Sequence, residues 1–330
     1  MGVIRLVLAL SVVYGHAAGY GIVEPHTQTG ILYPIDATLA VEMFFVISGF
    51  YMGLMLEERY RRTPGWVWRF YATRYLRLMP GYLVVLAVFT FSTNPTVLNQ
   101  LPGALWPLFE FSSLTLIGID LTAFYEIGGY GAHTVMPISQ AWSLGIEIWF
   151  YLLVPALVRL ANWHLVLLGA AICAARYWIS DAPVFPWQQR LFPLELYFFV
   201  LGLLAHRLSR SAPSHPAVAW VLLGVAVCAA TFGGFVDLGF WKPLNALMLG
   251  AAFACVVPLI FAVSKGWRMD RWIGELSYPL YLVHVQVGHS FPWSKTSLLA
   301  FVAASLVAAV ALMIAVDVPV DRLRHRFLKP

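Results

Sequence analysis

Eleven stretches of the chain are apolar and long enough to cross a bilayer, at about 3–20, 37–56, 76–93, 99–118, 140–161, 163–179, 190–208, 217–234, 245–264, 272–291 and 296–317, given that about 17–25 residues of helix span the hydrocarbon. Only 11% of the 330 residues are charged and 60% are hydrophobic, with a mean hydropathy of +0.76. So few charges cannot cover a water-facing surface, which excludes a single soluble globule, a disordered chain and a fibrous repeat. Cys173, Cys228 and Cys255 all lie in apolar runs, so neither a disulfide framework nor a CxxC metal site is expected.

Topology follows from the basic residues. The stretch at 99–118 is the weakest, interrupted by Pro102, Pro107 and Glu110. If it is omitted and the N-terminus is inside, 17 of the 21 basic residues fall on the inner side, and only Arg176, Arg190, Lys242 and Lys295 fall outside. Counting it as a span leaves the two sides nearly equal. Ten spans are therefore expected, with both termini cytoplasmic and 99–118 as a re-entrant or interfacial helix in an outer loop of 94–139. The first span is read as retained rather than cleaved as a signal peptide, because its basic region is very short and His16 interrupts the small residues after it. No fixed-period repeat or paired interrupted helices appear, which weighs against a transporter of inverted halves. The expectation is an all-α polytopic membrane protein, about ten transmembrane helices around a central polar tunnel, as a single domain over 1–330 without an appended soluble domain.

Ionisable side chains at membrane depth cost at least about 2.5–3.5 kcal/mol on insertion scales, so each is a candidate for function. Here they are His16, Glu42 with Asp36 nearby, Glu147, Glu195 and His284. Arg5 and His16 are eleven residues apart on one helix. They share a face to within about 20° and are separated by about 16 Å along the axis, forming one polar seam. Ser48-Gly49 is a small-residue step that allows close helix contact. Arg59, Arg61, Arg62, Arg69, Arg74 and Arg77 crowd an inner loop among Trp66, Trp68, Tyr71 and Tyr75. They exceed what orientation needs, and guanidinium groups bind phosphate bidentately. Ser143 and Glu147 are i,i+4 neighbours beside Trp142, and Ser277, Tyr281 and His284 share a face with Pro279 loosening the backbone. The nine histidines form no HxxH or HExxH pair, which disfavours a metal. Orientation already accounts for the basic residues, which disfavours nucleic acid.

The Arg-x10-His of the first span, the FFVISGF stretch, the arginine-rich loop ending Tyr75-Leu76-Arg77-Leu78-Met79-Pro80, the QAWSLGIEIWFY entry and the SYPLYLVH segment occur in order over almost the whole chain. In this the chain resembles the membrane-bound acyltransferase family 3, polytopic O-acyltransferases that modify surface polysaccharides, lipid-linked sugars, nodulation factors and some antibiotics. It departs in its opening, Val3-Ile4-Arg5-Leu6-Val7 in place of Asp-x-Leu-Arg-Gly, in the acid before the FF pair, which is Glu42, and in lacking a hydrolase-like domain. The resemblance implies transfer of an acyl group, most simply acetyl, from cytosolic acyl-CoA to a hydroxyl of an extracytoplasmic or lipid-linked glycan, in a bacterial inner membrane and with no tightly bound cofactor. It implies His16 as general base, an acyl-carrier role being the alternative, with Glu42 or Glu147 orienting it. Arg69, Arg74 and Arg77 would hold the ADP end of CoA. Arg5, Ser48, Trp142, Ser143, Tyr281 and His284 would line the tunnel, His284 as an oxyanion donor. A small-solute transporter or flippase and a non-catalytic scaffold are the competing classes, and a homo-oligomer stays open.

Overall fold

The computed structural model describes residues 1–22, 35–58, 60, 64–92, 106–127, 130–131, 136–179, 184–211, 242–290 and 298–327. The helices in chain order are α1 (Gly2–Gly19), α2 (Ala37–Glu58), α3 (Trp66–Ser92), α4 (Trp106–Thr115), α5 (Trp142–Leu157), α6 (Asn162–Trp178), α7 (Phe192–Ser211), α8 (Lys242–Ser264), α9 (Arg268–Glu275), α10 (Ser277–Ser290), α11 (Leu298–Leu312) and α12 (Val318–Phe327). A two-residue antiparallel pairing, Glu126–Ile127 with Tyr130–Gly131, is the one strand contact among the described residues.

Seven helices among these residues are long and apolar enough to cross a membrane, and the protein is an α-helical membrane protein. The other expected spans each have an account. The stretch at 163–179 is α6, a helix of 17 residues, at the lower limit of what spans the bilayer core and one residue shorter than the shortest of the seven. The one at 217–234 lies outside the described residues. The one at 272–291 is divided at Leu276 into α9, of 8 residues, and α10, of 14. Pro279 is the third residue of α10, where a missing N–H is tolerated; it could not sit inside a continuous helix without losing a backbone bond. The segment at 99–118 holds α4, only 10 residues long and hence about 15 Å, too short to cross.

Two further departures position the site. The arginine-rich stretch expected to be a loop is helical from Trp66 onward, because the break at Pro64-Gly65, with Gly65 at φ 66, is the last before Pro80. At 27 residues α3 is about 40 Å long, some 10 Å more than the hydrocarbon. The last helix likewise continues past its expected end, through a π-helical turn at Met313–Asp317 into α12.

The core forms where α2 and α7 meet. Gly49 lies against the Phe199 carbonyl and Gly202 against that of Val46, so the two backbones touch, as small residues permit. Phe199 stacks between Phe45, at 4.6 Å between ring centres, and Phe150 of α5, at 4.1 Å. At the periphery the apolar residues point outward: Trp178 is 87% exposed, Leu299 77% and Val263 75%. In water these faces would be costly; in lipid they are at home.

Candidate active site

Arg5 and His16 lie on one face of α1 as the helix arithmetic requires. Arg5 lines a cavity of about 330 Å³, together with Ser48, Arg74, Arg77, Ser143, Glu147, Tyr151, Tyr278, Tyr281 and Arg324. Four guanidinium groups and one carboxylate, Glu147, line it; Arg324 is also paired with Asp321, and the remaining surplus of positive charge suits a polyanion. Arg74 and Arg77 reach it because they are i,i+3 neighbours on α3. Arg69, five residues before Arg74, is turned about 140° away and does not line the cavity. Arg324 comes from α12 and was counted in the sequence only as an orienting charge. No sequence signal marks it, because Pro319, just past the last span, reads as a stop, yet the helix runs on through it into α12.

Glu147 projects from α5 into this cavity. Its Oε1 accepts from Ser48 Oγ at 2.7 Å and from Tyr151 OH at 2.5 Å, so α2 and α5 are joined across the carboxylate. Tyr151, one turn beyond Glu147, is a site residue that sequence reasoning missed, although its i,i+4 spacing from Glu147 was the available signal.

Beyond the cavity lies a histidine pair. His284 Nδ1 is 3.1 Å from the Leu280 carbonyl, and its Nε2 is 3.1 Å from His16 Nδ1, which is also 3.0 Å from the Val12 carbonyl. A carbonyl only accepts, so the neutral His284 carries its proton on Nδ1 and accepts at Nε2. His16 therefore bears its proton on Nδ1, and its Nε2 holds a lone pair. The expected contact between His16 and an acid is replaced by this pair. His284, expected to donate to an oxyanion, here spends its one donor on a backbone carbonyl.

Tyr281 connects the two regions: it lines the cavity, and its ring centre is 5.9 Å from that of His284. Its hydroxyl donates to the Gln140 carbonyl at 2.6 Å, so Ser143 Oγ, at 2.7 Å, must donate to it. Gln140 Nε2 in turn donates to the Leu282 carbonyl at 2.9 Å. The entry to α5 is thereby clamped onto α10.

Glu42 is elsewhere. It and Ser48 are six residues apart on α2, about 120° around the helix, so when Ser48 faces Glu147, Glu42 faces α6 and α7. There Arg176 lies 3.4 Å from Glu42 and 3.5 Å from Glu195, with all three side chains at most 4% exposed, and donates to the Gln188 carbonyl at 3.0 Å. This is a structural ion cluster. Replacing Arg176 by methionine is expected to cost about 3–5 kcal/mol by leaving buried acids without a cation, read as a lower unfolding temperature in detergent that Glu42→Gln in the same chain partly restores.

Trp142, at the start of α5, carries Arg190 above its ring at 4.1 Å. Asp120, in the short 3-10 turn before the strand pair, accepts from Trp149 Nε1 at 3.3 Å. Burial pushes its carboxyl up to about 6, against the opposing pull of that hydrogen bond and of Arg190.

The family model for an acyltransferase domain matches residues 1–318. The chain belongs to this acyltransferase family. It is accordingly an enzyme of acyl transfer rather than a transporter or a scaffold. Curated relatives include nodulation protein 10 of Rhizobium leguminosarum bv. viciae, 25% identical over 316 residues, covering 87% of this chain and 82% of that one. The exopolysaccharide production protein ExoZ of Rhizobium meliloti is 27% identical, covering 78% of each chain. The putative membrane-bound transacylase BcsY of Komagataeibacter xylinus is 26% identical, covering 74% of this chain and 65% of its own. No solved structure matches the chain. The stretches that define the acyltransferase resemblance supply the cavity wall and the histidine pair, whereas Arg324 comes from the end of the chain, beyond the matched region.

Proposed function

We propose that this acyltransferase takes an acetyl or other short acyl group from cytosolic acyl-CoA and delivers it to a hydroxyl of a glycan on the far side of a bacterial inner membrane. Both termini would be cytoplasmic, and the cavity would form the inner half of a polar tunnel. The observation that carries this reading is the juxtaposition of the four-arginine cavity with the His16–His284 pair across Tyr281. The phosphates of CoA suit Arg74, Arg77 and Arg324. Its thin pantetheine arm would then run past Arg5 and Tyr281 toward His16.

In the step itself, His16 Nε2 takes the proton of the acceptor hydroxyl while the oxygen attacks the thioester carbonyl. The C–O bond forms and the C–S bond breaks. The CoA thiolate leaves and recovers the proton from the His16 imidazolium. His284 acts as the positioning residue, accepting from His16 Nδ1 and so fixing the tautomer that keeps Nε2 basic, the part an acid plays in other histidine-dependent acyl transfers. Glu147 would hold α2 to α5 and balance part of the guanidinium charge.

Membranes containing the protein, incubated with radiolabelled acetyl-CoA, should acquire alkali-labile label on a glycan fraction. The absence of label from any acyl-CoA would reject the reading. Arg324→Ala should raise the KM for acetyl-CoA about tenfold, the worth of one charge-assisted phosphate contact, with kcat within about twofold of native. An unchanged KM would remove Arg324 from the CoA site.

A further inference from the structure

Arg190 is left without a counter-charge by the mechanism above. Its Nε and Nη1 atoms are buried and have no hydrogen-bond partner, and no carboxylate lies within 4 Å of it among the described residues. The contrast is with Arg176, fourteen residues earlier, which holds two carboxylates and two carbonyls. What Arg190 has instead is a pair of aromatic faces, Trp142 at 4.1 Å and Phe185 at 5.3 Å. A cation–π contact recovers only part of what a guanidinium loses on leaving water.

Its place is fixed. The preceding residues are tied down, Gln188 by its carbonyl to Arg176 and Gln189 by its amide to Thr38 Oγ1 at 3.2 Å. Its platform, Trp142, is the neighbour of Ser143, which is hydrogen-bonded to Tyr281, whose ring centre is 5.9 Å from that of His284, so Arg190 overlooks the end of the site where the acceptor hydroxyl would meet the base. Asp120, the acid that acts on it, already accepts from Trp149. A cation at this end of the site opposes an imidazolium forming there unless an anion joins it.

We propose that Arg190, stacked on Trp142, recognises an oxyanion of the acceptor, so that the glycan modified is an acidic one, carrying a carboxylate or phosphate near the accepting hydroxyl. This rests on the acyl-transfer reading and narrows it to a substrate class. The planar fork of the guanidinium pairs bidentately with either group. Bound there, the anion would fill the orphaned donors, orient the hydroxyl toward His16 Nε2 and cancel the charge that opposes proton transfer.

The test uses the full chain in proteoliposomes with radiolabelled acetyl-CoA and three acceptors: a neutral oligosaccharide, the same oligosaccharide bearing one uronic acid, and the same oligosaccharide linked to prenyl diphosphate. The native protein should prefer one of the two acidic acceptors, and which one it prefers separates a uronate from a lipid-linked phosphate. Arg190→Gln should reduce that preference, as a ratio of kcat/KM values, by about 10–100-fold, while Arg190→Lys retains part of it. Equal loss on all three acceptors from a variant that unfolds at the native temperature overturns the proposal, because Arg190 would then serve the chemistry common to all. So does a native preference for the neutral acceptor. Failure of the native protein to label any of the three in a His16-dependent way would instead sink the acyl-transfer reading beneath it.

Discussion

Replacing His16 by alanine is expected to lower acyl transfer by about 10²–10⁴-fold, the range a positioned general base contributes. The magnitude rests on the proton inventory of the pair. His284 spends its donor on the Leu280 carbonyl and offers only an acceptor to His16, so it cannot replace the missing base without turning over. His284→Ala should cost less, since His16 would keep its bond to the Val12 carbonyl and with it the same tautomer, losing only the second anchor. Initial rates with saturating acetyl-CoA, on protein whose unfolding temperature matches the native one, decide both. A His16→Ala variant within threefold of native would remove the histidine from the chemistry.

The second large effect is expected from Gly202→Ala. A Cβ there would sit 2.1 Å from the Val46 carbonyl oxygen and 2.6 Å from the Phe50 nitrogen. Both are backbone atoms of α2, so no side chain can swing aside and the helices themselves must separate. Overpacking of a core costs about 1–3 kcal/mol, and the backbone clash places this substitution at the upper end. Activity should fall along with stability, because α2 also carries Ser48, and Ser48 holds Glu147. Gly266→Ala, where a Cβ meets nothing within 4 Å, is the matched control and should be near neutral. Thermal unfolding of the three proteins in detergent checks the prediction. If Gly202→Ala melts with the control, α2 and α7 are not in backbone contact.

The seam of Arg5 and His16 was legible because it needs only the helical period, which is a property of one chain segment. The same holds for Arg74 and Arg77, once their stretch is known to be helical. What the sequence could not supply is the rotation of each helix about its axis relative to its neighbours. Glu42 and Glu147 read alike as acids near the end of an apolar span. Only packing decides that one faces Arg176 and the other the cavity. The histidine pair shows the same limit: both residues were singled out, yet that each would be the other's partner depends on how α1 lies against α10. Arg324 was hidden for a different reason. A basic tail after the last span explains itself as an orientation signal, and nothing local shows that its helix runs on far enough to reach the cavity. The central tunnel was inferred from where polar residues fell; the structure encloses a cavity at the Arg5 end.

The hydrogen bond from His284 to the Leu280 carbonyl also bears on the energetics of the membrane itself. An ionisable base at membrane depth invites leakage of the proton-motive force if it can hand protons to a relay leading across. In this pair the relay stops after one link: His284 faces a backbone carbonyl, which accepts a hydrogen bond but carries no proton onward. Any proton His16 gains from the acceptor would have to leave with the CoA thiolate. Each turnover would then be electrically silent, and the enzyme could work in an energised membrane without short-circuiting it.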